Sequence, residues 1–145
     1  MSKIQVYIID YGTQDYQDGK KLREEVLRKP LGLSLTPEDL ENEKKQIHFC
    51  AFDGDKIVGT LILVPQGDKY KIRQVAVASK YQKSGVGQKL LSSCEKYARQ
   101  VNMKELYCHA RESAEGFYKK NQFKVVGEIF SEHTVPHVKM IKELV

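Results

Sequence analysis

Between Ile47 and Val77, two turn signals cut a β-branched and aromatic stretch into three strands. Ile47-His48-Phe49-Cys50-Ala51-Phe52 and Lys56-Ile57-Val58-Gly59-Thr60-Leu61-Ile62-Leu63-Val64 flank Asp53-Gly54-Asp55, a strong hairpin signal. Gln66-Gly67-Asp68 then turns the chain into Tyr70-Lys71-Ile72-Arg73-Gln74-Val75-Ala76-Val77. Strands joined by turns this short pair antiparallel, so a sheet is the framework on which the rest must pack.

Elements on either side extend the sheet and cover it. Ile4-Gln5-Val6-Tyr7-Ile8-Ile9 reads as a first strand, closed by Asp10-Tyr11-Gly12-Thr13. Leu22, Val26 and Leu27 form the apolar stripe of a first helix that Pro30 and Gly32 terminate. Thr36 is the expected N-cap of a second short helix, with Pro37 at its first position and Glu38 and Asp39 in its first turn. From Val86, the apolar positions Leu90, Leu91, Cys94, Tyr97, Ala98 and Val101 recur with helical spacing. Glu105 to His109 reads as a strand and Ser113 to Lys120 as a short helix; strands around Phe123–Phe130 and His137–Ile141 follow. The expected order is β-α-α-β-β-β-α-β-α-β-β, a mixed α+β sheet covered by helices.

Composition bounds the class. The 145 residues are 41% hydrophobic and 30% charged, which suits one globular domain spanning 1–145 and argues against global disorder. No apolar run approaches the roughly 18 residues of a membrane span, and Met1-Ser2-Lys3-Ile4-Gln5-Val6 lacks the core of a signal peptide, so a cytoplasmic protein with no membrane partner is expected. Cys50, Cys94 and Cys108 are odd in number and widely spaced, the pattern of reduced core thiols and not of a disulfide framework or a metal site. The net charge of +5 is spread among acids, and basic and aromatic residues do not interleave along a strand as in a stacking platform, which argues against nucleic acid.

The segment that points to chemistry runs from Val75 to Leu90: a strand, a tight polar loop and a helix start in quick succession. The free amides of a first helical turn and the positive end of the helix dipole favour an anion there, and glycine lets the backbone approach it. Two glycine-loop patterns fail. Gly87 is followed by Gln88-Lys89-Leu90 and has no glycine five positions before it, so the P-loop is absent. Leu90 stands where the dinucleotide fingerprint needs its third glycine.

Gln82-Lys83-Ser84-Gly85-Val86-Gly87 instead fits Q/R-x-x-G-x-G/A, and Ala114-Glu115-Gly116-Phe117-Tyr118-Lys119-Lys120-Asn121-Gln122-Phe123 looks like an A-x-x-F-Y-x-x-x-G-F block. On these motifs and the order of its elements, the chain resembles the GCN5-related N-acetyltransferase (GNAT) family over nearly its whole length. The Leu22–Arg28 helix, the Pro30-Leu31-Gly32-Leu33 turn and the Pro136–Met140 strand make it similar to a bacterial ElaA-like subgroup. Three positions depart from the family: Lys83 and Gln122 stand where members often have glycine, and Arg111 where many have an asparagine that holds the pantetheine arm.

The resemblance implies an acyl-CoA N-acyltransferase fold, a mostly antiparallel twisted sheet of about seven strands splayed at the CoA site and flanked by about four helices. It also implies acetyl-CoA as co-substrate, without a metal, and transfer of the acetyl group to an amine by direct attack in a ternary complex. Val75, Ala76 and Val77 would bind the donor through main chain; Gln82, Lys83, Ser84, Gly85, Val86, Gly87 and Gln88 would hold its phosphates, and Ala114 and Tyr118 would line its far end. Tyr118 would protonate the departing thiolate. His109, Glu112 and His137 remain alternatives for the base, His137 also for the acceptor pocket.

Arg73 and Gln74 point to opposite faces of their strand, and one of them is the expected reader of an acceptor carboxylate, a role also open to Arg23 and Arg28. The acceptor itself, a small-molecule or peptide amine, is not specified by the sequence. A homodimer would form through the last strands. The competing reading is a non-catalytic acyl-CoA sensor, and a Tyr118→Phe variant separates the two.

Overall fold

In the computed structural model, which describes residues 3–28, 41–132 and 134–144, seven strands form one sheet. They are Ile4–Ile9 (β1), Ile47–Asp53 (β2), Lys56–Gln66 (β3), Lys69–Val77 (β4), Glu105–Arg111 (β5), Lys124–Glu132 (β6) and Val135–Glu143 (β7), in the order β1-β2-β3-β4-β5-β7-β6. Every neighbouring pair is antiparallel except β4 and β5. A parallel pair needs a long crossover, and the helix Val86–Gln100 (α2) supplies it.

Burial follows from this order. β3 lies near the middle, and Val58, Gly59, Thr60, Leu61, Ile62 and Leu63 are all buried, because α2 packs on one face and the helix Gln14–Arg23 (α1) on the other. β6 closes one edge and is mostly exposed; β1 closes the other and leaves Tyr7 and Ile8 in solvent. The core joins Leu61, Leu63, Ile72, Leu106, Cys108 and Met140 of the sheet to Val86, Leu90, Leu91, Cys94 and Ala98 along one stripe of α2. Cys50, Cys94 and Cys108 are buried and unpaired, as their spacing suggested.

The first helix differs from its expected form. It starts at Gln14, where Thr13 caps it by accepting from the Tyr16 amide at 3.2 Å. Its buried face is Tyr16, Gly19 and Arg23; Leu22 is half-buried, and Val26 and Leu27 are half-buried in a π-helical turn, Glu24–Arg28, that continues the helix. An ion-paired arginine therefore replaces the apolar stripe. Arg23 is 2% exposed, donates to Glu43 at 2.7 and 2.8 Å, and faces Tyr16, whose hydroxyl donates to the same carboxylate at 2.8 Å.

Three α-helices stand among the described residues: α1, α2 and Glu115–Lys120 (α3). The Pro30–Gly32 terminator and the helix expected at Thr36 lie outside those residues. None of the described helices is long and apolar enough to cross a membrane.

Candidate active site

β4 and β5 pair from Lys69–Glu105 to Ile72–Cys108 and no further. β4 stays paired with β3 up to Val77, and β5 with β7 up to Arg111. Beyond Ile72 and Cys108 the facing edges of the two strands are therefore not joined, and a wedge opens with its vertex at Cys108. Its cause is a bulge: the β3–β4 register shifts between Thr60 and Ile62, and Gln74 adopts φ +56°, costly for a residue with a side chain. Thr60 Oγ1 holds the bulge by donating to the Gln74 carbonyl at 3.1 Å. The Gln74 amide oxygen is buried without a hydrogen-bond partner among the described residues. Such an edge offers main-chain groups to an extended ligand, as a missing strand would take them.

At the end of β4 the chain makes a 3₁₀ turn, Ser79–Tyr81, and enters α2 through residues 82–85. Gln82 Nε2 donates to the Val77 carbonyl at 3.1 Å, and the Tyr81 hydroxyl to Asp53 at 2.5 Å, which ties the loop to the sheet. Gly85 is the N-cap at φ +90°, with no side-chain cap, so the amides of Val86, Gly87 and Gln88 keep their first-turn freedom to meet an anion. Gln82, Lys83, Ser84, Gly85 and Gln88 are exposed, whereas the Val86 side chain is sunk in the core and has only its main chain to give. Beside this terminus lies an open depression of about 510 Å³ lined by Ile4, Val6, Gly85, Gln88, Lys89, Ser92 and Ser93.

Tyr118 meets the vertex from the α2 side. It is 6% exposed, packs edge-on against Phe117 and Phe123, and brings its hydroxyl within hydrogen-bonding reach of Cys108. Burial above all, then the neighbouring Cys108 and Cys94, pushes the phenol well above its ordinary value, and burial lifts the Cys108 thiol to about 12. Both keep their protons at neutral pH. Tyr118 can therefore give a hydrogen bond or a proton but cannot act as a base. Ala114 and Phe117 pack on the same core, and Val75, Ala76 and Val77 lie along the β4 side of the wedge.

The opposite face of β5 carries His109 and Arg111. His109 Nδ1 lies 3.2 Å from Glu132 Oε1, and His137 Nε2 lies 3.6 Å from Glu132 Oε2. Burial draws the Glu132 carboxyl upward, but the His109 hydrogen bond and the charges of His109, His137 and Lys71 outweigh it and hold it below the usual range. Lys71 is itself held below its usual value by burial and by Arg73. Glu132 and Lys71 were absent from the residues the sequence suggested. No local motif marks them, since Glu132 sits at a strand end and meets β5 only through the bend of β6.

The remaining candidates separate. Arg73 is exposed on β4, Gln74 is turned inward, and Glu112 is exposed in the 3₁₀ turn before α3. Arg23 is corrected as an acceptor-reading residue: its guanidinium is buried and taken up by Glu43, not presented to a ligand. Arg111 donates to the Leu27 carbonyl at 3.4 Å. Among the described residues, no cluster of three or more His, Cys, Asp or Glu side chains is arranged to hold a metal ion.

A splayed β4–β5 pair beside a helix start with open first-turn amides is the frame of the acyl-CoA N-acyltransferase fold. The family model for the acetyltransferase (GNAT) domain matches residues 14–144, and the chain belongs to that family. An uncharacterized N-acetyltransferase, YjcF, of Bacillus subtilis is 27% identical over 94% of this chain and 98% of its own. Among solved structures, Escherichia coli ElaA superposes with a TM-score of 0.80 at 20% identity, covering 97% of this chain and 99% of that one. An aminoglycoside 6'-N-acetyltransferase complexed with coenzyme A gives 0.79 at 18% identity, covering 97% of each. These structural likenesses establish the α+β fold.

Proposed function

We propose that the protein is an acetyl-CoA-dependent N-acetyltransferase that passes an acetyl group directly to the amine of a small-molecule or peptide acceptor in a ternary complex. The observation that carries this reading is the placement of Tyr118, from α3, at the vertex of a β4–β5 wedge whose β4 strand leads through its loop into the open first turn of α2. The coenzyme A in the aminoglycoside acetyltransferase complex and the N-acetyltransferase description of the Bacillus relative support the choice of donor and reaction. Within the family, the Leu22–Arg28 segment and the Pro136–Met140 strand are the basis for grouping the chain with ElaA-like members.

The residues fit the donor. Amides of Val86, Gly87 and Gln88, with Gln82, Lys83, Ser84 and Gly85 around them, would hold its pyrophosphate, and the depression beside Gln88 and Lys89 would take the nucleotide end. The β4 edge at Val75, Ala76 and Val77 would hold the pantetheine arm as a strand holds its neighbour. The donor supplies a thioester, whose carbonyl carbon accepts the amine lone pair and whose carbon–sulfur bond then breaks. Tyr118 stands ready to protonate the sulfur, and Arg73 to meet an acidic group on the acceptor. His109 and His137 flank the other side of β5, where the amine would approach.

The test is thiol release from acetyl-CoA against a panel of amines, together with calorimetric binding of CoA and acetyl-CoA. Binding with turnover that Tyr118→Phe suppresses supports the enzyme. Binding without turnover for any amine leaves an acyl-CoA sensor, and no binding of either ligand removes both readings.

A further inference from the structure

His109 is the first β5 residue past the last β4–β5 pair, so its side chain stands at the vertex of the wedge. Tyr118 reaches the same vertex through Cys108, the preceding residue, whose side chain points to the opposite face. Acid and imidazole therefore flank one point of the sheet from its two sides.

The partner of His109 comes from two strands away. Glu132 is on β6, and β7 lies between β6 and β5, so a flat sheet would keep them apart. The β6–β7 register shifts between Val126 and Phe130, where Gly127 takes φ +81°, and a bulge of this kind bends its strand. Beyond the bulge, Phe130 packs edge-on to His109 with ring centres 5.0 Å apart, and Glu132 Oε1 reaches His109 Nδ1 at 3.2 Å. A carboxylate only accepts, so the shared proton belongs to His109 Nδ1, and in the neutral imidazole it is Nε2 that carries the lone pair. The second oxygen lies 3.6 Å from Nε2 of His137, which is 6% exposed and anchored by donating from Nδ1 to the Val135 carbonyl at 2.8 Å. Arg111 on β5, Lys71 and Arg73 on β4 and Lys139 on β7 are further charges on this face.

We propose that Glu132 is the positioning residue of a Glu132–His109 base pair: it fixes the proton on His109 Nδ1 so that Nε2 can take a proton from the acceptor's ammonium group. This rests on the N-acetyltransferase reading above. The step balances as follows. One N–H proton passes to His109 Nε2, and the imidazolium is shared with Glu132. The freed lone pair forms the C–N bond to the acetyl carbon, the C–S bond breaks, and the sulfur takes a proton from Tyr118. The new amide nitrogen loses its second excess proton, which restores Tyr118 through solvent, and His109 returns its own proton to solvent. The sum is ammonium plus thioester giving amide, thiol and one proton.

Two readouts test it. A two-bond proton–nitrogen spectrum of the ¹⁵N-labelled protein at mildly alkaline pH should show His109 protonated at Nδ1, and Glu132→Ala should move that proton mostly to Nε2. In thiol-release assays, Glu132→Gln should lower kcat about 10- to 100-fold with acetyl-CoA affinity unchanged, Glu132→Asp should recover part of it, and Glu132→Gln should cost nothing further in a His109→Gln background. A wild-type His109 protonated at Nε2, or a Glu132→Gln kcat within twofold of wild type, overturns the pair while leaving the transferase intact. A wild-type protein that binds acetyl-CoA but acetylates no amine overturns the transferase reading, and the base with it.

Discussion

Gly59 on β3 lies so close beneath α2 that a β-carbon placed there would come within 2.8 Å of Val86 Cγ1 and 3.0 Å of Leu90 Cδ1. Val86 is the first residue of α2, so this contact sets the height at which the free first-turn amides begin. Gly59→Ala must lift the helix or compress the core, at a cost of about 1–3 kcal/mol. Chemical denaturation should register the loss, and calorimetry should show weaker acetyl-CoA binding by the folded variant. A loss of stability with unchanged affinity would mean that the loop, and not the Gly59 contact, places those amides.

Tyr118→Phe removes one oxygen and keeps the ring between Phe117 and Phe123. Stability should fall by only about 1 kcal/mol, the net worth of one hydrogen bond. Turnover should fall about 100-fold or more, because the phenol is the proton donor proposed for the sulfur, while acetyl-CoA affinity stays near wild type. Steady-state kinetics beside calorimetry separate these effects. Equal losses in binding and kcat would make Tyr118 a packing residue.

Arg23 and Tyr16 converge on the Glu43 carboxylate, and the His48 ring meets the backbone of the same residue, with Nε2 2.8 Å from the Glu43 carbonyl. Glu43→Ala strands a buried guanidinium and should cost about 3–5 kcal/mol in urea unfolding. Replacing both partners, as Arg23→Met with Glu43→Leu, should cost much less, because no charge is left alone in the core. Neither variant touches the wedge, so acetyl-CoA affinity of the folded protein should hold.

Glu132 ties acid stability to the candidate site. Its carboxyl is held below the ordinary range, so it contributes stability that is full above the unfolded-state value and is lost as pH falls through the lower folded value. Thermal melts from pH 7 downward should fall less steeply for Glu132→Gln than for wild type across that acidic window. Parallel curves would show that the His109 and His137 contacts do not stabilise the charged form.

Local pattern made much of the fold readable. β1 occupies Ile4–Ile9 as its β-branched run suggests, the Asp53-Gly54-Asp55 hairpin joins β2 to β3, and α2 begins at Val86, because each depends on residues within a few positions. The strand, loop and helix from Val75 to Leu90 were legible for the same reason. What escaped depends on long-range geometry. The Gln74 bulge that opens the wedge has no glycine to announce it, and Glu132 meets His109 across an intervening strand only because β6 bends. Arg23 on a polar helix reads as a solvent residue until Glu43, twenty positions on, is brought against it.

The two places where glycine is usual in the family and absent here gain a physical explanation, and a last prediction, from the backbone. Lys83 sits at φ +65° and Gln122 at φ +74°, in the left-handed region that penalises a side chain by about 1–2 kcal/mol. Glycine removes that penalty but gives back roughly 0.5–1 kcal/mol of chain entropy, so Gln122→Gly should stabilise the protein by about 0.5–1 kcal/mol. Gln122 closes α3, where its amide donates to the Lys119 carbonyl at 3.0 Å, and glycine keeps that bond. Lys83→Gly should bring a similar gain in stability but a different binding result. It removes a cation from the exposed loop proposed to hold the donor's phosphates, so acetyl-CoA affinity should fall a few-fold at low salt and converge on wild type as salt rises. Denaturation and calorimetry at two ionic strengths check both halves. Tighter binding by Lys83→Gly would mean that strain in this loop, and not its charge, limits how the donor is held.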